Sequence, residues 1–279
     1  MFRRRLIWNG TPKAPIVDGV PLVANVGDIA YKATDGSIKV VNPDKWSSAL
    51  GTPVGVVVIP SGFAPDNGLA RITSLQVLDY TCWSYFYENV SGITNYFILP
   101  TTDNNGSAGT GYNGYLPSDK FSSIIKSYDD PLANYSGSTP YIPSPYLGEK
   151  PNPAYYAEIL GGNALSDFNG KGNTDKLYAS GSLYPAAISA RNYKVTGAED
   201  IEWYLPAAGE LGYLLSRFNK VASSILKAGG SQLNSYGFWS STENSDTYAY
   251  IVDFYYGKVN KYNKGYSDYY VYPFAQLDF

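Results

Sequence analysis

One apolar stripe at helical spacing lies upstream of segments that alternate every second residue. Leu211, Leu214, Leu215, Phe218, Ala222, Ile225 and Leu226 fall on one side of a helix. Pro206 stands at its first turn, where a missing N–H does no harm, and Gly229-Gly230 marks its end. Downstream, Tyr250, Val252 and Phe254 share one face of a strand, and Ile251, Asp253 and Tyr255 the other. The first set is the better core face. After a turn at Tyr256-Gly257, Val259 points to the core, with Lys258, Asn260 and Tyr262 opposite. A helix that must bury a stripe beside strands with one apolar face predicts a mixed α+β architecture.

The N-terminal signals are those of strands. In GDIAYKATDGSIKVV, Ile29 and Tyr31 alternate before Thr34-Asp35-Gly36, and Ile38 and Val40 follow it. Asp-Gly between such runs is a strong hairpin signal. TPVGVVVIPSG holds an unbroken apolar run over 54–59 between Gly and Pro, which predicts a buried strand, and LARITSLQVL predicts another. Residues 1–76 are expected to form a small β-rich module for attachment or oligomerisation, and 77–279 a second domain. There, Phe121, Ile124, Ile125 and Tyr128 predict a helix over 118–128. Residues 100–115 and the Pro- and Tyr-rich 129–157 read as loops. Short helices are expected at about 173–180 and 184–193, the first capped by Asn173 or Thr174.

Composition narrows the chemistry. The chain has no histidine, which removes imidazole-based nucleophilic machinery, metal sites and pH switches together. The one cysteine, Cys82, rules out an intrachain disulfide and beside Trp83 reads as a small core residue; disulfide-free folding suits cytoplasmic assembly. Charged residues are 16%, below the ~25% of an average domain. A net charge of -3 gives no basic field for a phosphate backbone, so nucleic acid is not an expected partner.

The start MFRRRLIWNG has only a short apolar run, over 6–8, where a signal peptide needs ~7–15 such residues. No transmembrane run exists elsewhere, so membrane insertion is not expected. The Asn-x-Ser sites at Asn89 and Asn134 read as chance. NGKGNT at 169–174 lacks the Ser or Thr and the upstream glycine of a phosphate loop. Asp129-Asp130 and Glu199-Asp200 read as turn and solubility residues, and no Asp-x-Asp spacing suggests calcium. No catalytic set, cofactor or metal is expected.

Tyrosine crowds the C-terminal strands instead. DFYYGKVNKYNKGYSDYYVYPF interleaves Tyr255, Tyr256, Tyr262, Tyr266, Tyr269, Tyr270 and Tyr272 with Asn, Ser, Asp, Gly and Lys. A core would favour Val, Ile and Leu at the outward positions. Tyrosine supplies rigid amphipathic contact area, and small polar neighbours supply adaptable hydrogen bonds, as in antibody binding loops. The composition predicts a contact surface.

DIEWYLPAAGEL (200–211), then FWSSTE (238–243), AYIVDFYYGKV (249–259) and YVYPF (270–274) resemble C-type lectin fold proteins of the formylglycine-generating-enzyme type. Among these, the chain looks most like the variable proteins diversified by bacterial and phage diversity-generating retroelements. LGTPVGVVVIPSGFAPD (50–66) also resembles the N-terminal part of such proteins from Bacteroides and their phages. The resemblance covers most of the chain and implies a C-type lectin-like domain behind the β-rich module, with a variable region at about 238–274.

It also implies a source for the composition: a template rich in AAY codons whose adenines are copied with errors. Asn244, Ser245, Asp246, Tyr248, Ile251, Asp253, Tyr255, Tyr256, Asn260, Tyr262, Asn263, Tyr266, Ser267, Asp268 and Tyr269 all fit that codon set and are the expected ligand-binding positions. Trp239, Val252, Phe254, Gly257, Val259, Val271 and Pro273 would be invariant scaffold. Lys258, Lys261 and Lys264 lie outside the set and are expected to be fixed or drawn from AAR codons.

By resemblance, the chain is a receptor-binding protein of a phage or prophage tail fibre, located in the virion or, before assembly, in the cytoplasm. Its partner would be a protein or glycan receptor on a bacterial surface. A homo-oligomer, a trimer, would multiply weak contacts. The alternative is a cell-surface or pilus-tip adhesin of a bacterium. An enzyme on the same fold is less favoured, because the cysteine pair of formylglycine-generating enzymes has no counterpart beyond Cys82. The Glu-Pro-Asn and Trp-Asn-Asp tripeptides of calcium-dependent sugar binding are also absent.

Overall fold

The computed structural model describes residues 16–17, 20–21, 24–61, 69–95, 164, 167–233, 236–254 and 258–279. Two short strands, β1 (Ile16–Val17) and β2 (Val20–Pro21), pair antiparallel. The expected hairpin follows as β3 (Ile29–Ala33) and β4 (Ile38–Val41). Gly36 takes φ 83 in its turn, and the Asp35 carboxylate accepts from the Ser37 amide at 2.9 Å, so Asp-Gly acts through both its backbone freedom and its side chain.

The apolar run lies in β5 (Gly51–Ile59), and β6 (Ala70–Thr73) and β7 (Leu78–Thr81) complete the N-terminal strands. Val54 and Val57 join one hydrophobic cluster, while Val56 and Val58 join another. The strand is buried on both faces, which is why it reads as continuously apolar. A register shift against β3 at Val54 moves the side chains from one face to the other.

Two helices match expectation closely, α1 (Gly170–Ala179) and α2 (Pro185–Asn192). The capping expectation does not hold. Asn169 precedes the helix, while Asn173 and Thr174 lie inside it and are buried. The Thr174 hydroxyl bonds the Leu205 amide at 3.0 Å and the Gly170 carbonyl at 2.8 Å, so it joins elements rather than starting one. The NGKGNT segment is thus the opening of α1.

After β8 (Trp203–Tyr204), the expected single helix divides into α3 (Ala208–Ser216) and α4 (Phe218–Lys227). Arg217 stands at the break with φ -120 and ψ 14, and its amide donates to the Leu214 carbonyl at 2.9 Å. That i–3 bond tightens the last turn of α3 and redirects the axis. Both halves keep their apolar residues in the same core, α3 through Leu211, Leu214 and Leu215 and α4 through Val221 and Ile225.

The remaining strands are β9 (Gly237–Glu243), β10 (Tyr248–Asp253), β11 (Lys258–Asn263), β12 (Tyr269–Val271) and β13 (Phe274–Leu277). They enter two sheets. One has the order β4-β3-β5-β6-β13-β8, the other β11-β10-β9-β12-β7. The main core contains Ile29, Val56 and Val58 from the first sheet, Phe238, Tyr250 and Val252 from the second, and residues of α3 and α4. The outer face of the second sheet holds Trp239, Ala249, Ile251 and Val271 against α1, α2, Trp83, Val90 and Ile93.

The molecule is therefore mixed α+β. The division expected at residue 76 does not divide the core: β6 pairs with β13 through Ala70–Thr73 and Phe274–Leu277, so N- and C-terminal strands share one sheet. The helix expected over 118–128 and the loops over 100–115 and 129–157 lie outside the described residues.

Candidate binding surface

β10 and β11 pair antiparallel, with Ala249 opposite Tyr262, Ile251 opposite Asn260 and Asp253 opposite Lys258. Trp239 on β9 is fully buried, and its ring lies 5.3 Å from Tyr269 and 6.4 Å from Tyr262. Its Nε1–H donates to the Thr81 carbonyl at 2.7 Å, which locks the indole in place. Tyr262 and Tyr269 meet edge to face at 4.6 Å, and Tyr266 adds a ring 5.8 Å from Tyr262 at 60°. Both Tyr262 and Tyr269 are half-buried, so each anchors on Trp239 and still presents surface.

Gly237 makes room for this. A Cβ there would lie 2.6 Å from Cδ1 of Tyr269, so the ring rests on the β9 backbone only because no side chain intervenes. Asp253 pairs with Gly237, and Asp268 lies 3.4 Å from the Tyr262 hydroxyl that donates to it. Burial pushes the Tyr269 phenol well above its usual range, and Tyr262, Asp253 and Asp268 push it in the same direction. The corner is aromatic and carries the Asp268 carboxylate at its edge.

The expected binding residues divide. Tyr262, Tyr266, Asp268 and Tyr269 come together here, with Asp253 beside them and exposed Ser267 in the same loop. Ile251 does not belong. It is fully buried with Trp239, Trp83 and Leu177, because α1, α2 and the chain around Trp83 cover that half of the sheet. Tyr248 pairs with Asn263, and Lys261 Nζ lies 5.2 Å from its ring centroid.

Asn244, Ser245 and Asp246 form the β9–β10 turn. The Asn244 and Ser245 amides donate to the Tyr248 carbonyl, and Asn244 Nδ2 donates to the Tyr250 hydroxyl. The Asn263 side chain accepts from the Gly265 amide at 3.0 Å, closing the next turn. Tyr255 and Tyr256 lie outside the described residues, and Asn260 is described only by its backbone register.

Lys264 is the feature that sequence reasoning undervalued. It is fully buried, as is Glu243, and its Nζ lies 2.5 Å from Glu243 Oε1. The ammonium also donates to the Glu88 carbonyl at 2.8 Å and sits 4.7 Å from the Trp83 ring centroid. Glu243 accepts from the Val90 amide at 3.2 Å. The Lys264 carbonyl accepts from the Trp83 and Ser84 amides. One side chain therefore ties the 264–268 loop, β9 and the 83–90 segment together.

That segment was missed as surface. Tyr85, Phe86 and Tyr87 are 66%, 53% and 57% exposed. Their backbone is held by the Leu183 carbonyl and the Ser84 hydroxyl, and the Tyr87 hydroxyl reaches the space beside Gly265. Its sequence, TCWSYFYEN, has the same Tyr, Ser and Asn chemistry as the C-terminal region and was the available signal.

Elsewhere, Cys82 is buried, Glu199 accepts from the Gly197 amide, and Asp200 pairs with Lys32 on β3. Among the described residues, no group of three or more His, Cys, Asp or Glu is placed to hold a metal, and no helix is long and apolar enough to cross a membrane.

Comparison with protein-family models and with curated proteins finds no match. Among solved structures, the chain is similar to a fimbrial protein from Bacteroides ovatus ATCC 8483, with a TM-score of 0.41 and 16% identity over 91% of this chain and 49% of that one. The chain thus spans about half the length of that protein, and a likeness this distant defines neither fold family nor function.

Proposed function

We propose that this chain is a ligand-binding protein rather than an enzyme, displaying a Tyr-rich, diversified surface on a C-type lectin-like scaffold. In this reading it serves as the receptor-binding protein of a phage or prophage tail fibre, and its ligand is carried on a bacterial surface. The observation that carries the reading is the partition within single strands and turns. Trp239, Val252, Val259 and Val271 are buried, while Tyr262, Tyr266, Asp268 and Tyr269, which fit the adenine-mutagenesis codon set, lie on or at the surface between them. Residues expected to be constant are those whose loss would damage the core. Residues expected to vary in the aromatic corner are those that a fold can exchange at modest cost.

The test is the encoding DNA. A near-copy of the codons for 238–274, mismatched only at adenines and beside a reverse transcriptase gene, is the expected finding. Mismatches should fall at codons such as those for Tyr262, Tyr266 and Asp268, and spare those for Trp239, Glu243 and Lys264. No near-copy, or mismatches spread evenly over both groups, would overturn the diversification.

A further inference from the structure

A second exposed patch borders the aromatic corner. Among the described residues, seven large hydrophobic side chains are exposed, and four of them, Tyr85, Phe86, Tyr87 and Tyr266, belong to two segments that touch. The Trp83 and Ser84 amides donate to the Lys264 carbonyl at 2.9 and 3.1 Å, and a Cβ at Gly265 would lie 2.6 Å from the Tyr87 hydroxyl. The Tyr85 amide donates to the Leu183 carbonyl at 3.0 Å and the Phe86 amide to the Ser84 hydroxyl at 3.0 Å, so the rings stand on a backbone already fixed. Neither WSYFY (83–87) nor GYS (265–267) contains a charged residue, and Glu88 and Asp268 follow at their ends. Exposed rings without charge, edged by polar groups, have the composition of a protein-interface centre and its rim.

We propose that Tyr85, Phe86 and Tyr87 are the constant half of the binding surface and take an uncharged, apolar face of a protein receptor. The inference rests on the binding-surface reading and adds the receptor's chemistry to it. The 83–87 segment lies outside 238–274, the region which that reading diversifies. Its rings meet a feature common to the receptors, while Tyr262, Tyr266 and Tyr269 beside them tell one receptor from another. Phe86 favours protein over glycan. It is 53% exposed and its side chain has no polar atom, so it gains from apolar cover and offers sugar hydroxyls nothing. The fixed backbone lowers the ordering cost of that contact.

The test is attachment of the labelled full chain to a panel of Bacteroides strains, read by flow cytometry, with cells untreated, digested with proteinase K or oxidised with periodate. Phe86→Ala should lower attachment about tenfold or more on every strain that the parent binds, and Phe86→Glu further still, while Phe86→Leu retains most of it. Leu226→Ala, which truncates an equally exposed apolar side chain on α4, should bind as the parent does. Proteinase K should abolish attachment and periodate should leave it unchanged. Undiminished attachment by Phe86→Ala, attachment that survives proteinase K, or loss after periodate, the glycan outcome, would overturn the proposal. A Phe86→Ala loss matched by a lowered midpoint in urea unfolding would make Phe86 a packing residue and overturn it as well. If Phe86→Ala binds normally while Tyr266→Ala does not, the constant half falls and the binding surface stands. If neither variant changes attachment, or the parent binds no strain, both fall.

Discussion

Replacing Lys264 by methionine removes a charge while keeping most of the side chain's volume, and the structure gives the expected cost. Lys264 and Glu243 are both fully buried, with Nζ 2.5 Å from Oε1. Without the ammonium, Glu243 keeps the Val90 amide but loses its countercharge, and the Glu88 carbonyl loses a donor. Breaking such a pair from one side costs about 3–5 kcal/mol. The loss should depend on pH. Burial already pushes the Glu243 carboxyl above its ordinary value of 4.5, and Lys264 is what opposes that rise.

In Lys264→Met the folded-state pKa stands higher still, so the cost of the stranded charge is absent below the ordinary carboxyl value of 4.5 and grows as pH rises from there through the folded value. Urea unfolding followed by tryptophan fluorescence at several pH values measures this directly. The double variant Lys264→Met with Glu243→Gln should be more stable at neutral pH than Lys264→Met alone, because no charge is left stranded. A Lys264→Met loss below about 1 kcal/mol at neutral pH, or one that does not shrink on acidification, would refute a buried, mutually dependent pair.

Gly237→Ala should cost about 1–3 kcal/mol in urea unfolding, because its Cβ would lie 2.6 Å from the Tyr269 ring, and ligand binding should weaken as that ring moves. Tyr266→Ala should stay within about 0.5 kcal/mol of the parent, since the side chain is 56% exposed; Tyr262→Ala should cost more, because Tyr262 packs on Trp239 and Tyr269. Burial and the Glu88 carboxylate push the Tyr184 phenol up to about 12. A raised folded-state pKa means that stability is present at lower pH and is lost as pH rises from about 10 through 12, so parent stability should fall there relative to Tyr184→Phe.

Local signals in the sequence were good guides where one physical cause dominated. The Asp-Gly hairpin, the apolar run in β5 and the helices around 170–192 follow from turn chemistry and periodicity alone. The single long helix failed because the apolar stripe runs unbroken through Arg217; periodicity records which face is buried but not a change of axis. The 76/77 boundary failed because β6 and β13 pair across two hundred residues, and nothing local to either strand encodes its partner.

At the site, alternation separated Val252 and Val259 from Tyr262, but it placed Ile251 outward. Both faces of β10 are covered, one by α3 and the other by α1, α2 and Trp83, and alternation distinguishes faces without saying what lies above each. Codon logic left Lys264 either fixed or drawn from an AAR codon, and its burial against Glu243 was not legible because it depends on a contact between separate segments.

Attachment to intact cells tests the central claim most directly. Labelled parent protein, Tyr266→Ala, Asp268→Asn and, as a remote control, Leu226→Ala on exposed Leu226 of α4 would be compared by flow cytometry on a panel of Bacteroides strains. The account predicts a strain bound by the parent and by Leu226→Ala, with binding reduced about tenfold or more in Tyr266→Ala and Asp268→Asn. Equal attachment by all four proteins, or by none to any strain, would contradict it.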